Sequence, residues 1–152
     1  MKLRQSARQT GQILPSISLI KQDDPRYPRS LVEHLGHYAP VELSALGNLD
    51  ILQQKTLALF CSVKCPGDLI LKTYDLAQQL REAEVTVIGG FHSPMERECL
   101  TILLRGNQSL ILCPARSLKN MRLPSCFFHH FLRRNAGILW SWQIEETDWL
   151  EL

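Results

Sequence analysis

The chain has 152 residues, of which 45% are hydrophobic and 21% are charged, values typical of one soluble domain and not of a collagen-like, disordered or multidomain protein. Its uninterrupted apolar runs are far shorter than the roughly 20 residues of a membrane-spanning helix, so we expect no membrane partner. The net charge of +2 is uninformative as a total. The first twenty residues contain neither a continuous apolar block nor a small-residue cleavage pattern, and we therefore place the protein in the cytoplasm.

Five cysteines, an odd number, cannot all pair within the chain, which favours a reducing compartment. Cys61 and Cys65 are four residues apart with no second close pair, and His92, His129 and His130 match no zinc spacing. We therefore expect core thiols and neither a metal nor a cofactor.

The first 22 residues lack a sustained periodicity and are expected to form an N-terminal arm, whereas residues 23–152 are expected to form a single domain. Two prolines in residues 23–28 predict a turn, because each fixes its own φ and biases the preceding residue away from helix. A short helix is predicted from Ser30 to Leu35, and Gly36 ends it. Residues 41–46 predict a short extended segment.

From Leu57 onward, apolar runs alternate with segments of helical period, which indicates βαβ units. The predicted strands are residues 57–62, 85–88, 109–113 and 137–140. The first long helix opens at Pro66, and its predicted apolar face consists of Leu69, Leu76, Ala77, Leu80 and Ala83. The next helix has Ser93 at the N-cap, Pro94 at the first helical position and Glu96 three residues after the cap, and it ends at Gly106. The sequence therefore predicts an α/β domain with a mostly parallel sheet.

Ligands of an open parallel sheet bind where strand carboxyl ends meet helix N-termini, because free N–H groups and the helix dipole attract anions there. Three predicted loops have this position, namely residues 62–67, 89–93 and 114–117. Their chemistry suits a phosphate: close backbone approach at Gly89 and Gly90, hydroxyls at Ser62 and Ser93, and positive charge at Lys64 and Arg116. We expect a nucleotide or nucleic-acid phosphate at these loops.

Each element also has a structural explanation. Gly89 and Gly90 can form a simple turn, and Ser93 with Glu96 can form a capping box without any ligand. Glu96 would repel a phosphate at the same helix end unless it contacts ribose or base. Neither the dinucleotide-binding nor the P-loop glycine pattern occurs in the chain.

A basic segment, residues 105–134, contains six Lys and Arg residues and no acid, with His129, His130 and three Phe residues interleaved. This mixture suits a polyanion with stackable bases. The alternative is a solvated basic face over a helix whose Phe side chains point into the core.

The order of several motifs resembles the DNA-processing protein A (DprA, also called Smf) family. These motifs are Asp24-Pro25-Arg26-Tyr27-Pro28 with Leu31, then Ala39-Pro40 with Leu46-Gly47-Asn48, then a strand ending at Ser62, then Val87-Ile88-Gly89-Gly90-Phe91-His92-Ser93. The resemblance spans residues 23–118 and implies a Rossmann-like, three-layer α/β fold related to the LOG nucleotide hydrolases. By position, the family's loop residues correspond to Ser62, Gly67, Gly89, Gly90, His92, Ser93 and Glu96. Lys64 falls one place after the family's arginine, a position that Val63 occupies here.

The resemblance implies a non-catalytic protein that binds single-stranded DNA or a nucleotide and acts in recombination or natural transformation, with a RecA-type recombinase as partner. The chain is expected to be a short or truncated version of the family, and a homodimer is left open. One alternative is a LOG-like N-glycosidic hydrolase with Glu96 or His92 as acid/base and Arg97 or Arg116 on the phosphate. The other is a nucleotide-sensing interaction domain with an apolar surface at Trp140, Trp142 and Trp149.

Overall fold

The computed structural model describes residues 16–83, 85–115, 118 and 137–141. In these residues six strands form one sheet in the order β1-β2-β6-β5-β4-β3. The strands are β1 (Ser18–Lys21), β2 (Glu42–Leu46), β3 (Thr56–Ala58), β4 (Thr86–Gly89), β5 (Leu110–Leu112) and β6 (Gly137–Ser141). The helices are α1 (Arg29–Leu35), α2 (Gly67–Glu82) and α3 (Pro94–Leu103), with two 3-10 helices at Gly36–Tyr38 and Leu49–Gln53.

The sheet is mostly parallel. Strands β3, β4, β5 and β6 pair in parallel, whereas β2 pairs antiparallel with both β1 and β6. Helix α2 connects β3 to β4 and helix α3 connects β4 to β5, as expected for βαβ units. The predicted Rossmann-like α/β fold with a mostly parallel sheet is confirmed.

Alternating side chains of the strands supply two apolar layers, one on each face of the sheet. On one face, Val87 and Leu110 pack with Ala77 of α2 and with Cys99 and Leu103 of α3. On the other face, β1, β2 and β5 pack with residues of the turn after β1 and of the second 3-10 helix; the buried members are Ile20, Tyr27, Leu43, Ala45, Leu49, Ile51, Leu52 and Ile111. Because apolar layers cover both faces of the sheet, the side chains of β4 and β5 are almost continuously apolar.

Local sequence signals determine where helix α3 begins and where helix α1 ends. Helix α3 begins with the predicted capping box, in which Ser93 Oγ accepts from the Glu96 N–H and the Glu96 carboxylate accepts from the Ser93 N–H. Helix α1 ends at Gly36, whose φ of 55° lies in the left-handed region and whose N–H donates to the Val32 carbonyl.

The sheet begins earlier in the chain than the sequence analysis places it. Residues Ser18–Lys21, assigned there to an N-terminal arm, form β1 and pair with all but the last residue of β2. Ile20 is fully buried in the core layer. Residues 1–15 lie outside the described residues, so the arm is a prediction only for them.

The first parallel strand and the helix after it also differ from expectation. Strand β3 ends at Ala58, so Cys61 lies in the loop that follows it. Leu69 and Leu76 of α2 are 44% and 42% exposed, although the apolar face was expected to include them. The buried residues of α2 are Ala77 and Leu80, with Ile70 and Tyr74 partly buried beside them. The apolar stripe of α2 is therefore wider than the side of the helix that packs on the sheet.

Candidate functional site

The three loops that follow β3, β4 and β5 come together at one edge of the sheet. Their strands are direct neighbours, because β4 pairs with both β3 and β5. Hydrogen bonds join the loops: the Cys61 N–H in the first donates to Glu96, and the Ala115 N–H in the third donates to His92 Nε2 at 3.3 Å. The predicted convergence of the loops is confirmed.

The carboxylate of Glu96 lies at the centre of this cluster and bridges two loops. Its Oε1 accepts from the Cys61 N–H at 2.9 Å, and its Oε2 accepts from the N–H groups of His92 and Ser93 at 2.7 and 3.3 Å. Glu96 is 7% exposed. The backbone donors that were expected to hold a phosphate therefore hold a carboxylate of the chain itself.

Two opposing effects act on the ionisation of Glu96. Burial raises the pKa of the carboxyl, but the hydrogen bonds from Cys61, His92 and Ser93 stabilise the charged form, and the net pKa lies below its ordinary value. Glu96 is therefore ionised at neutral pH. A proton donor with both oxygens engaged and a lowered pKa is poorly suited to general acid catalysis.

Two glycines, Gly89 at the end of β4 and Gly90 directly after it, make room for the protein's own atoms. A Cβ on Gly89 would lie 3.0 Å from the Leu59 carbonyl oxygen, and a Cβ on Gly90 would lie 2.7 Å from His92 Cδ2. The next residue, Phe91, has a φ of 52° and is buried. A non-glycine residue in this region is strained, and here the strained conformation accompanies the packing of the Phe91 ring under Gly89. The close approach expected for a ligand is thus an internal contact.

The remaining predicted site residues lie at the surface of the first loop or beyond the described residues. Ser62 is exposed, and its Oγ accepts from the Lys64 N–H at 3.3 Å. Lys64 is exposed, and the two ion pairs among the described residues do not include it. Gly67 begins α2 with open space around its Cα. Arg116 lies outside the described residues, as does most of the basic segment.

Two thiols lie close to Glu96. Burial raises the pKa of Cys61, and the negative charge of Glu96 adds to that shift. Burial raises the pKa of Cys99 to about 12. Both thiols are therefore protonated at neutral pH and unreactive as nucleophiles. In the part of the chain that the structure describes, no group of three or more His, Cys, Asp or Glu residues could hold a metal ion, and no helix could span a membrane.

Sequence reasoning missed the two backbone contacts that tie the loops together. Cys61 is 35 residues from Glu96, and Ala115 is 23 residues from His92. A backbone N–H is present at every residue except proline, so no residue type marks either donor in the sequence. The one sequence signal for these contacts is the acid at position 96, because a carboxylate that becomes buried needs several hydrogen-bond donors around it.

Comparison with known proteins adds a fold relative. The X-ray structure of DNA processing protein A (DprA) from Streptococcus pneumoniae superimposes on this chain with a TM-score of 0.64 and 21% sequence identity. The chain shares the DprA fold. The match covers 82% of this chain and 43% of that one, so this chain corresponds to less than half of the DprA chain. No family model and no curated protein sequence matches.

Proposed function

We propose that the protein is a DNA-processing protein that binds single-stranded DNA across the outer surface of the three strand-end loops. The observation that carries this proposal is the arrangement of charge at the loops. Glu96 neutralises the inward-facing backbone donors, whereas Lys64 in the first loop is exposed and unpaired among the described residues. Positive charge is therefore available at the surface and not in a pocket. The fold shared with DprA supports the same function.

This arrangement favours a polymer over a single nucleotide. A mononucleotide depends on a deep site in which several donors hold one phosphate, and at these loops Glu96 uses those donors. A nucleic-acid strand gains affinity from many exposed contacts, each releasing counterions. We expect Lys64 and Arg116, with the basic segment 105–134, to contact successive phosphates, and the Phe side chains of that segment to stack on bases.

The same geometry argues against the hydrolase alternative. Glu96 would have to give up hydrogen bonds to three backbone groups before it could deliver a proton to a glycosidic bond. His92 Nε2 accepts a hydrogen bond from Ala115, so this nitrogen is already engaged. We propose that the protein acts without catalysis and that a RecA-type recombinase is a downstream partner.

Fluorescence anisotropy with a labelled oligothymidylate tests the proposal. Lys64→Ala should weaken binding at every salt concentration and reduce the slope of log K against log salt by about 0.7, the value for one contact to a single strand. Lys55→Ala is the matched control, because Lys55 is an exposed lysine at the opposite, amino end of β3. Unlabelled duplex DNA and a nucleoside monophosphate serve as competitors and should compete poorly. An unchanged slope in Lys64→Ala, or better competition by the mononucleotide, would refute the proposal.

A further inference from the structure

Phe60 is the most exposed large hydrophobic side chain among the residues that the structure describes, with 80% of its surface in solvent. It lies two residues after the end of β3, in the first of the three strand-end loops. A single exposed apolar side chain is common on protein surfaces and needs no explanation. Phe60 is a special case, because the backbone on both sides of it is held in place.

Two hydrogen bonds hold the residues that flank Phe60. The Leu59 N–H donates to the Ile88 carbonyl of β4 at 2.9 Å, and the Cys61 N–H donates to Glu96 Oε1 at 2.9 Å. The Leu59 side chain is buried in the apolar layer between the sheet and the helices. A phenyl side chain has only two χ angles, so a ring on this fixed backbone loses little conformational entropy when a ligand binds it.

The surroundings of the ring suit a nucleotide better than a protein surface. Val63, in the same loop, is 76% exposed, and the exposed Lys64 follows it. Residues 59–67 contain one cation and no acid. A protein partner that docks through apolar contacts uses a wide patch. An exposed ring beside a lysine instead offers a base a surface to stack on and a phosphate a positive charge.

We propose that the Phe60 ring stacks on an unpaired base of the single strand whose phosphate Lys64 contacts. This inference rests on the proposed function and names the residue that distinguishes a single strand from a duplex. Every base has a π face, so stacking on one ring tolerates any base sequence. In a duplex the neighbouring base pairs cover that face, and the ring has no base to contact.

Fluorescence anisotropy with two labelled oligomers of equal length tests this role. One is oligothymidylate, and the other has the same phosphates on abasic sugars. Phe60→Ala should weaken binding of oligothymidylate by about 5- to 150-fold, the range expected for the loss of one stacked base. Binding of the abasic oligomer and of duplex DNA should not change. The slope of log K against log salt should also remain that of the wild type, because a phenyl ring releases no counterions.

Two further variants separate the aromatic face from the apolar character of Phe60. Phe60→Trp keeps a π face and should bind oligothymidylate at least as tightly as the wild type. Phe60→Leu keeps an apolar side chain without a ring and should lose affinity as Phe60→Ala does. All three variants should unfold at the urea concentration of the wild type, because the ring that they replace is exposed.

The results distinguish a failure of this inference from a failure of the proposed function. Wild-type affinity of Phe60→Ala for oligothymidylate, or an equal loss of affinity for both oligomers, would overturn the stacking role and leave DNA binding through Lys64 in place. Full affinity in Phe60→Leu would overturn it in the same way. A wild type that binds neither oligomer would refute DNA binding itself, and the stacking role with it.

Discussion

Replacing Glu96 by glutamine tests the central feature of the loop cluster. A glutamine has one oxygen where the carboxylate has two, so its amide NH2 must face a backbone donor. The less costly orientation keeps the bonds from His92 and Ser93 and loses the bond from Cys61. Losing one hydrogen bond to a charged group costs about 1.5–3 kcal/mol, and the two that remain become weaker neutral bonds. We expect Glu96→Gln to lower the free energy of unfolding by about 2–4 kcal/mol at pH 7.

The pH dependence of this difference follows from the lowered pKa of Glu96. A carboxyl whose pKa is lower in the folded state stabilises the protein above its unfolded pKa, which is 4.5 for Glu96. That contribution is lost as the pH falls below 4.5 through the folded value. The gap in stability between the wild type and Glu96→Gln should therefore be constant near neutral pH and shrink below pH 4.5.

Urea unfolding followed by far-UV circular dichroism, repeated from pH 7 to pH 3, measures both effects. The control is Glu98→Gln on the same helix, where the glutamate is exposed and a change within about 0.5 kcal/mol is expected. If Glu96→Gln unfolds at the same urea concentration as the control at pH 7, Glu96 does not bridge the loops and our account of the site fails.

Three further predictions can be checked by thermal or urea unfolding or by NMR titration. Gly106→Ala should lower the free energy of unfolding by about 1–3 kcal/mol, because the added Cβ would overlap Gln108 Oε1 and lie 2.8 Å from the Arg81 carbonyl oxygen. The control is Gly67→Ala at the start of α2, where a Cβ meets open space and the change should be neutral or stabilising. Leu103→Ala should lower the unfolding free energy by about 2–5 kcal/mol, since Leu103, the last residue of α3, is fully buried in the apolar layer between α3 and the sheet. Hydrogen bonds from the side chain and the backbone N–H of Arg26 lower the pKa of Asp24 from 3.8 to about 2, so its contribution to stability should be lost as the pH falls from 3.8 to about 2. Arg26→Ala should raise this pKa but leave it below 3.8, because the backbone N–H of residue 26 still donates to the carboxylate.

Short-range signals made much of the fold predictable. The capping box at Ser93 and Glu96 and the end of α1 at Gly36 each depend on residues within a few positions of one another. The neighbouring positions of β3, β4 and β5 were predictable because a single helix connects each of these strands to the next. Strand β1 was missed because its four residues have no periodicity of their own and are held by pairing with β2, more than twenty residues later.

The exposed leucines of α2 show a different limit of sequence reasoning. Periodicity identifies which side of a helix is apolar, but it does not say whether a neighbour covers the whole of that side. Leu69 and Leu76 have the spacing of core residues, yet the sheet ends beneath them at β3. In the site, the bridge from Cys61 to Glu96 depends on a backbone donor, which the sequence does not reveal.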